Sequence, residues 1–463
     1  MKSRAARFRG VAFCLLAAVI IYIPQASNAA LIYVKADAIG ANDGSSWDDA
    51  YRDLQTALGA ADTGDSVWVA VGTYKPTAGT SRTATFLMKN GVALFGGFVG
   101  VETSVSQRSM RFHWTVLSGE IGLLGKNDNS YHVLSAQSVD STTILDGFYV
   151  TGGNASGGSP NDVGGGLTVV GGNPTVRNVH FHENSATRGG GVSLSGSRAT
   201  LANVVLTGNF AAFGGGMYTY NSGHEVIVNT TFAGDSVQWQ GAAFYNNGSW
   251  PQIVNSILWE NKGITQVLNI GGAAATFSYS IVDGSGGSGS WNSIYGIDGG
   301  NNLDVDPLLW SVANGDVHLR TDSPAIGVGN NGAPGLPPTD CDGEPRIGYG
   351  TVDIGADEFG DPTAVGARTP TPRARITSVY PNPFNPTVTV SFDMDVRETV
   401  QVAVYDVGGR VIRSLLEGVR DPGPHRVTWD GIDRTGRRVA SGVYFIEVET
   451  NAWRDHRKVI LVK

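Results

Sequence analysis

Asn178-Val179-His180-Phe181-His182-Glu183-Asn184 is written again, with variations, as Asn203-Val204-Val205-Leu206-Thr207-Gly208-Asn209, as Asn229-Thr230-Thr231-Phe232-Ala233-Gly234-Asp235 and as Asn255-Ser256-Ile257-Leu258-Trp259-Glu260-Asn261. The leading asparagines stand 25, 26 and 26 residues apart, and a second polar position follows each of them six residues on. Two residues before each leading asparagine lies an aliphatic (Val176, Leu201, Ile227, Ile253), and three after it a large apolar residue (Phe181, Leu206, Phe232, Leu258). Glycine clusters separate the copies, Gly189 to Gly191 and Gly214 to Gly216, fading to Gly241-Ala242-Ala243.

A repeat of this length, built from short alternating runs bounded by glycine and lacking helical periodicity, predicts a solenoid of β-strands. If each copy is one turn of a parallel β-helix, like residues stack about 4.8 Å apart along the axis. Two polar ladders follow: Asn178, Asn203, Asn229 and Asn255, and then Asn184, Asn209, Asp235 and Asn261. Between them the aliphatics form one continuous core. The close leucine offsets of a leucine-rich repeat and the longer Trp-Asp periods of a propeller are both missing.

Sixty-four glycines and 16% charged residues in a chain of 463 suit tightly turned β structure rather than disorder. The formal charge of −8 is uneven, because residues 373–463 carry 14 basic and 11 acidic side chains. The rest is acidic, and more so without the four basic residues of the extreme N-terminus. Nucleic acid is therefore not an expected partner. Lys2, Arg4, Arg7 and Arg9 ahead of an apolar run from Val11 to Ile23, then Ala26-Ser27-Asn28-Ala29, predict a signal peptide over residues 1–29. No later run is long enough to span a membrane, so no transmembrane span is expected in the mature chain. Cys14 departs with the signal and leaves Cys341 alone, which excludes an intramolecular disulfide.

Residues 30–360 are expected to form the β-helix. Asp48 to Ala61 is its one amphipathic helix, with Asp48 or Ser46 as cap, placed to cover the solenoid's first turn. Three further features stand out: Gly44-Ser45-Ser46-Trp47, Val69-Ala70-Val71-Gly72-Thr73-Tyr74, and the closing Val352-Asp353-Ile354-Gly355-Ala356-Asp357-Glu358. Together with the triple-glycine repeats they resemble the choice-of-anchor Q domain of secreted bacterial proteins. That resemblance covers roughly Ile32 to Phe359 and implies a right-handed, pectate-lyase-like parallel β-helix with no established reaction. Gly327 stands where that family carries aspartate after Ser-Pro-Ala-Ile.

Residues 361–374 read as a Pro, Thr and Gly linker, and residues 375–463 as short alternating strands of a small immunoglobulin-like β-sandwich. The expected strands are 388–392, 400–405, 426–429, 442–448 and 458–463. Tyr380-Pro381-Asn382-Pro383-Phe384-Asn385-Pro386, Asp430-Gly431 and Ser441-Gly442-Val443-Tyr444 resemble the C-terminal sorting domain, type A, of type IX secretion cargo. They are equally similar to the immunoglobulin-like domain of flagellar hook-capping proteins. The first resemblance implies recognition by outer-membrane secretion machinery and a secreted or cell-surface location on a bacterium.

Candidate chemistry is sparse. Tyr218 and Tyr245 follow their glycine clusters at the outward position of adjacent rungs, beside Tyr220. Stacked aromatic faces of this kind offer platforms to sugar rings, which points to a polysaccharide or cell-surface glycan; an aromatic ladder that covers the sheet is the plainer reading. His180 and His182 should point outward into solvent, and the neighbouring rungs offer Thr207 and Ala233 rather than a third ligand, so no metal site is expected. Asp304 with Asp306, or Asp43, Asp48 and Asp49, could hold calcium, but turn and cap roles fit better, and no other cofactor is implied. Asp146, Glu183, Asp235 and Glu260 are the array's carboxylates and Arg188 its nearby base, with no motif joining any of them into a catalytic pair. Acidic neighbours should raise the Cys341 thiol and disfavour nucleophilic use. The reading is a secreted β-helix binding or structural module, with a polysaccharide lyase or glycoside hydrolase as the alternative.

Overall fold

The computed structural model describes residues 29–360 and 374–462, apart from 112, 123–124, 348–349, 395–396, 407–409, 422 and 451–453. Most of the expected signal peptide, residues 1–28, and most of the expected linker, residues 361–373, lie outside the described residues.

The chain winds as a right-handed parallel β-helix. Each regular coil visits four sheets in turn, as in Thr175–Arg177 (sheet I), His180–His182 (sheet II), Ser185–Arg188 (sheet IV) and Val192–Ser197 (sheet III). Among the described residues the sheets contain ten, eight, four and seven strands in that order. Like residues pair across rungs: Val176, Leu201, Ile227 and Ile253 in sheet I, and Phe181, Leu206, Phe232 and Leu258 in sheet II. All eight are fully buried. A third inner column, Val192, Met217, Phe244 and Val267, closes the core from sheet III. At about 1.5–3 kcal/mol per buried side chain, these columns supply the main cohesion of the stack.

Local backbone demands explain why the repeat conserves polar and glycine positions. Asn178, Asn203, Asn229 and Asn255 have φ of 53°, 53°, 46° and 51°. This left-handed corner turns the chain from sheet I into sheet II, and asparagine tolerates it better than other side-chain-bearing residues. At Gly190, a Cβ would stand 2.5 Å from the Gly215 carbonyl oxygen and 2.6 Å from that of Phe210, so successive coils stack there backbone on backbone.

The helix is shorter than expected. It spans Leu54–Ala60, and its cap is Asp53, which accepts from the Thr56 amide at 3.0 Å. Residues 48–51 are engaged elsewhere: Tyr51 exchanges backbone bonds with Tyr33 and Lys35, and Ser46 and Ala41 bond the Asp49 carboxylate. Leu54, Ala57 and Leu58 still enter the solenoid core beside Val34, Val67 and Phe86.

A second layer, unforeseen in the sequence, lies outside the coil. Residues 303–359 run back over the outer faces of sheets I and II after an antiparallel pair, Leu309–Ser311 with Asp316–Leu319. Val317 and Ala356 pack on Val205 and Ala233, Leu319 and Ile354 on Ile257 and Ile281, and Ala333 on Ala202, Val228 and Val254.

The C-terminal residues form two antiparallel sheets. One orders 374–380, 388–394 and 423–429; the other orders 411–420, 398–406, 442–450 and 454–461. Trp429, Val390, Phe392, Val402, Val404 and Ile446 fill the space between them. Ala374–Tyr380 and Val411–Arg420 are strands beyond the five expected. Val411–Arg420 pairs on one side only, and its Arg413, Glu417 and Arg420 break up the apolar alternation.

Candidate functional site

Sheets III and IV keep their outer faces open, and the aromatic residues gather there. Tyr218 pairs with Tyr245 across adjacent strands, with ring centroids 5.5 Å apart. Phe213 meets the edge of Tyr245 at 5.3 Å. Tyr220 is 44% exposed and Trp239 55%, whereas Tyr218 keeps only 8% of its surface. Tyr218 therefore packs beside Tyr245 on the neighbouring strand, and the more exposed rings are those of Tyr245, Tyr220 and Trp239. Arg188 lies near both paired tyrosines and is held by Asp162 at 2.7 Å. The cluster of Tyr218, Tyr245 and Phe213 is thus edged by a neutralised ion pair.

A second concavity, about 350 Å³, opens where the returning segment meets sheet II. Trp259, Glu260, Asp306, Leu308, Trp310 and Arg320 are among its lining residues. Two carboxylates, a guanidinium and two indoles thus share one cleft, a grouping invisible in sequence because Glu260 and Asp306 belong to different layers. The Asp306 carboxylate also caps a turn by accepting from the Leu308 amide at 2.8 Å.

The histidine pair is not solvated surface. Val179 and Phe181 point inward as expected, but the returning hairpin lies over His180 and His182, with Gly315 beside His182 and Thr207. Thr207 Oγ is 2.6 Å from His180 Nε2 and 2.9 Å from His182 Nδ1. One hydroxyl has one proton, so it donates to one ring and accepts from the other. Burial pushes both imidazoles below their ordinary range, and at His180 the neighbouring His182 adds to the effect. Tyr149, with Trp114 stacked on it at 4.7 Å, covers the remaining side.

Further along, the returning segment buries charge. Arg346 is 1% exposed and donates to Asn203 Oδ1, to the carbonyls of Gly355, Ala356 and Asp357, and to Glu358. Burial and Asp353 push Glu358 up to about 8, and burial with Asp342 and Asp357 pushes Asp340 to about 8. His318 bridges Asp316 and Asp342 at 2.6 and 2.8 Å; burial opposes its charge, but Asp342 and Asp316 outweigh that and hold the ring well above its ordinary range. Burial and then Asp342 raise the Cys341 thiol, which packs against Val205, Ala233 and Val317.

The two polar columns differ. Asn203 donates to Asn178 at 2.8 Å and Asn255 to Asn229 at 3.1 Å, but between these pairs Arg346 takes the Asn203 oxygen while Asn229 donates to the carbonyls of Asp353 and Gly355. Asp146 ends the column, bonded by Asn178, Arg108 and Arg177. The second column runs through: Asn184 and Asn209 each donate a backbone amide to the next side-chain oxygen, as Asp235 does to Asn261. Asp304 accepts from the Gly284 and Gly286 amides, and Asp43 from that of Ser45, both turn roles.

A family model described as a right handed beta helix region matches residues 133–294. A second, described as the FlgD Ig-like domain, matches residues 382–452. Among solved structures, the pectate lyase Pel9A is 17% identical, covering 71% of this chain and 96% of that one with a TM-score of 0.38. Latent PorU of Porphyromonas gingivalis is 20% identical over 23% of this chain, with a TM-score of 0.19. PorZ of the same organism, described as an essential surface component of its type-IX secretion system, is 26% identical over 19%, with a TM-score of 0.15. The chain spans 10% of the length of PorU and 11% of PorZ. No curated protein matches the chain. Among the described residues no helix is long and apolar enough to cross a membrane.

Proposed function

We propose that this is an exported, surface-displayed β-helix protein of the choice-of-anchor Q kind that binds glycan through the exposed rings of Tyr245, Tyr220 and Trp239, with Tyr218 and Phe213 packed against Tyr245. The observation that carries this reading is the in-register contact of Tyr218 with Tyr245, joined by the Phe213 ring, on a face left open by the returning segment. Aromatic faces stack on the apolar sides of sugar rings, and tyrosine hydroxyls and the Trp239 indole can bond sugar hydroxyls. The test is retention of the mature protein on a panel of neutral and acidic polysaccharides. Tyr245→Ala and Tyr220→Ala should each weaken retention at least about tenfold, or ~1.4 kcal/mol. Undiminished retention in both variants, or none in the wild type, sinks the reading.

The cleft of Trp259, Trp310, Glu260, Asp306 and Arg320 favours a second reading, glycoside hydrolysis by a carboxylate pair. Release of reducing ends that disappears in Glu260→Gln and Asp306→Asn would establish it, and retention without turnover would dismiss it. Residues 375–463 we assign to export as a type IX sorting domain. Full-length protein should reach the surface of a host carrying that apparatus, and protein lacking these residues should stop in the periplasm; equal display of both refutes the assignment.

A further inference from the structure

We propose that the returning segment holds one divalent transition metal ion, of the zinc type, on His318 Nε2, Asp342 and Asp357, with Asp316 as the positioning carboxylate behind the imidazole. The donor atoms of these three ligands lie within 4.8 Å of one another. His318 Nε2 faces Asp342 Oδ2 at 2.8 Å and Asp357 Oδ1 at 4.0 Å. Small side-chain movements would bring all three to the roughly 2.0–2.2 Å reach of zinc–nitrogen and zinc–oxygen bonds.

The ring's orientation separates this cluster from an ordinary group of acids. Asp316 Oδ1 accepts a hydrogen bond from Nδ1–H at 2.6 Å, which fixes the tautomer and aims Nε2 at the two remaining carboxylates. Ligating histidines are commonly held in this way, with the non-ligating nitrogen donating to a carboxylate. Asp357 is steadied in turn by the Leu319 amide, which donates to Oδ2 at 2.8 Å and leaves Oδ1 toward the ring. Arg111 reaches Asp342 at 3.7 Å but is also paired with Glu344, so it does not displace the imidazole.

Binding would release the Nε2 proton to solvent, and the ion would take its place between the carboxylates. His318 and Asp342 keep 26% and 14% of their side-chain surface, which leaves a route in and room for water to complete the coordination shell. One imidazole among the donors favours zinc-type ions over calcium or magnesium, which prefer oxygen alone. The ion would staple the hairpin strand Asp316–Leu319 to the chain around 342 and 357, tying parts of the outer layer to one another.

Titration calorimetry of the chelator-stripped, full-length mature protein with zinc, manganese and calcium chlorides tests this. One zinc per chain is expected, with a higher thermal midpoint in its presence. His318→Gln and Asp342→Asn should lose binding; Asp316→Asn, which keeps the shape of the side chain, should weaken it about 10–100-fold. Circular dichroism identifies any variant that fails to fold, and Asp316→Asn then carries the test. Absence of zinc binding, binding undiminished in folded His318→Gln or in Asp316→Asn, or a preference for calcium would overturn the proposal.

Discussion

Replacing Asp235 by asparagine should stabilise this protein, and should do so only above mildly acidic pH. Asp235 occupies a ladder position that is asparagine in the adjacent rungs. Its Oδ1 accepts from the backbone and side-chain amides of Asn209 at 2.8 and 2.9 Å, but the buried Oδ2 has no partner among the described residues. The corresponding nitrogens of Asn184, Asn209 and Asn261 donate to the carbonyls of Val150, Phe181 and Phe232. An ionised carboxylate in this place turns a bare oxygen toward a site built for a donor, whereas a protonated one supplies the missing hydrogen. Burial accordingly raises its pKa from 3.8 to about 8.

The sign follows from linkage. The folded state holds this proton more tightly than the unfolded chain, so the stability it confers is complete below pH 3.8 and drains away as pH rises toward 8. At about 1.36 kcal/mol per unit, the loss by neutral pH is on the order of 4 kcal/mol. Asparagine has no proton to lose. Asp235→Asn should therefore gain about 2–4 kcal/mol over wild type near neutral pH and close to nothing near pH 4. Urea unfolding followed by tryptophan fluorescence at several pH values measures the gap, and taking the difference between the two proteins cancels the other buried acids. A gap that does not change with pH, or a variant less stable than wild type at neutral pH, would refute the argument.

Three further substitutions probe the same architecture by the same measurement. Arg346→Met should cost about 3–5 kcal/mol, because it strands Glu358 and three carbonyls in a buried layer. Thr207→Val keeps the shape but leaves a buried nitrogen on each of two imidazoles without its bond; about 1–3 kcal/mol per orphaned group should be lost, with the His180 and His182 ring resonances shifting in the NMR spectrum. Gly190→Ala should lose at least about 1–3 kcal/mol, since its Cβ would meet backbone oxygens of the next coil that have nowhere to go.

The solenoid was legible because its corner positions leave little choice of residue. A left-handed φ at Asn178, Asn203, Asn229 and Asn255 and backbone contact at Gly190 and Gly215 leave marks that recur at the coil length. The outer layer left a mark too, in strands apolar on both faces, such as Val205-Leu206 and Ile257-Leu258. A strand with a solvated face alternates; these do not, because Ala356 and Leu319 cover the other side. Residues 303–359 have no periodicity of their own, so nothing local said where they would lie. For the same reason His180 and His182 read as surface, and the juxtaposition of His318 with Asp342 and Asp357 could not be seen along the chain.

The returning layer also decides where this molecule can present side chains. Sheet I is covered early by Trp47, which packs with Tyr33, Trp68 and Phe98, and later by Ala333 and Leu336; sheet II lies under the hairpin and residues 354–356. Three exposed aromatics, Phe210, Tyr220 and Trp239, fall on sheets III and IV, while Trp250 sits at the corner between sheets III and I and Trp114 just ahead of a sheet II strand. The cleft follows from the same constraint: Trp259 continues the column of Thr207 and Ala233, but here the cover passes over the sheet as residues 306–313 and leaves a gap beside the indole. The open aromatic face and the cleft are therefore consequences of how the chain closes over its own coil. A change that loosens that closure should alter the cleft of Trp259 and Trp310 and leave the Tyr218–Tyr245 face as it is.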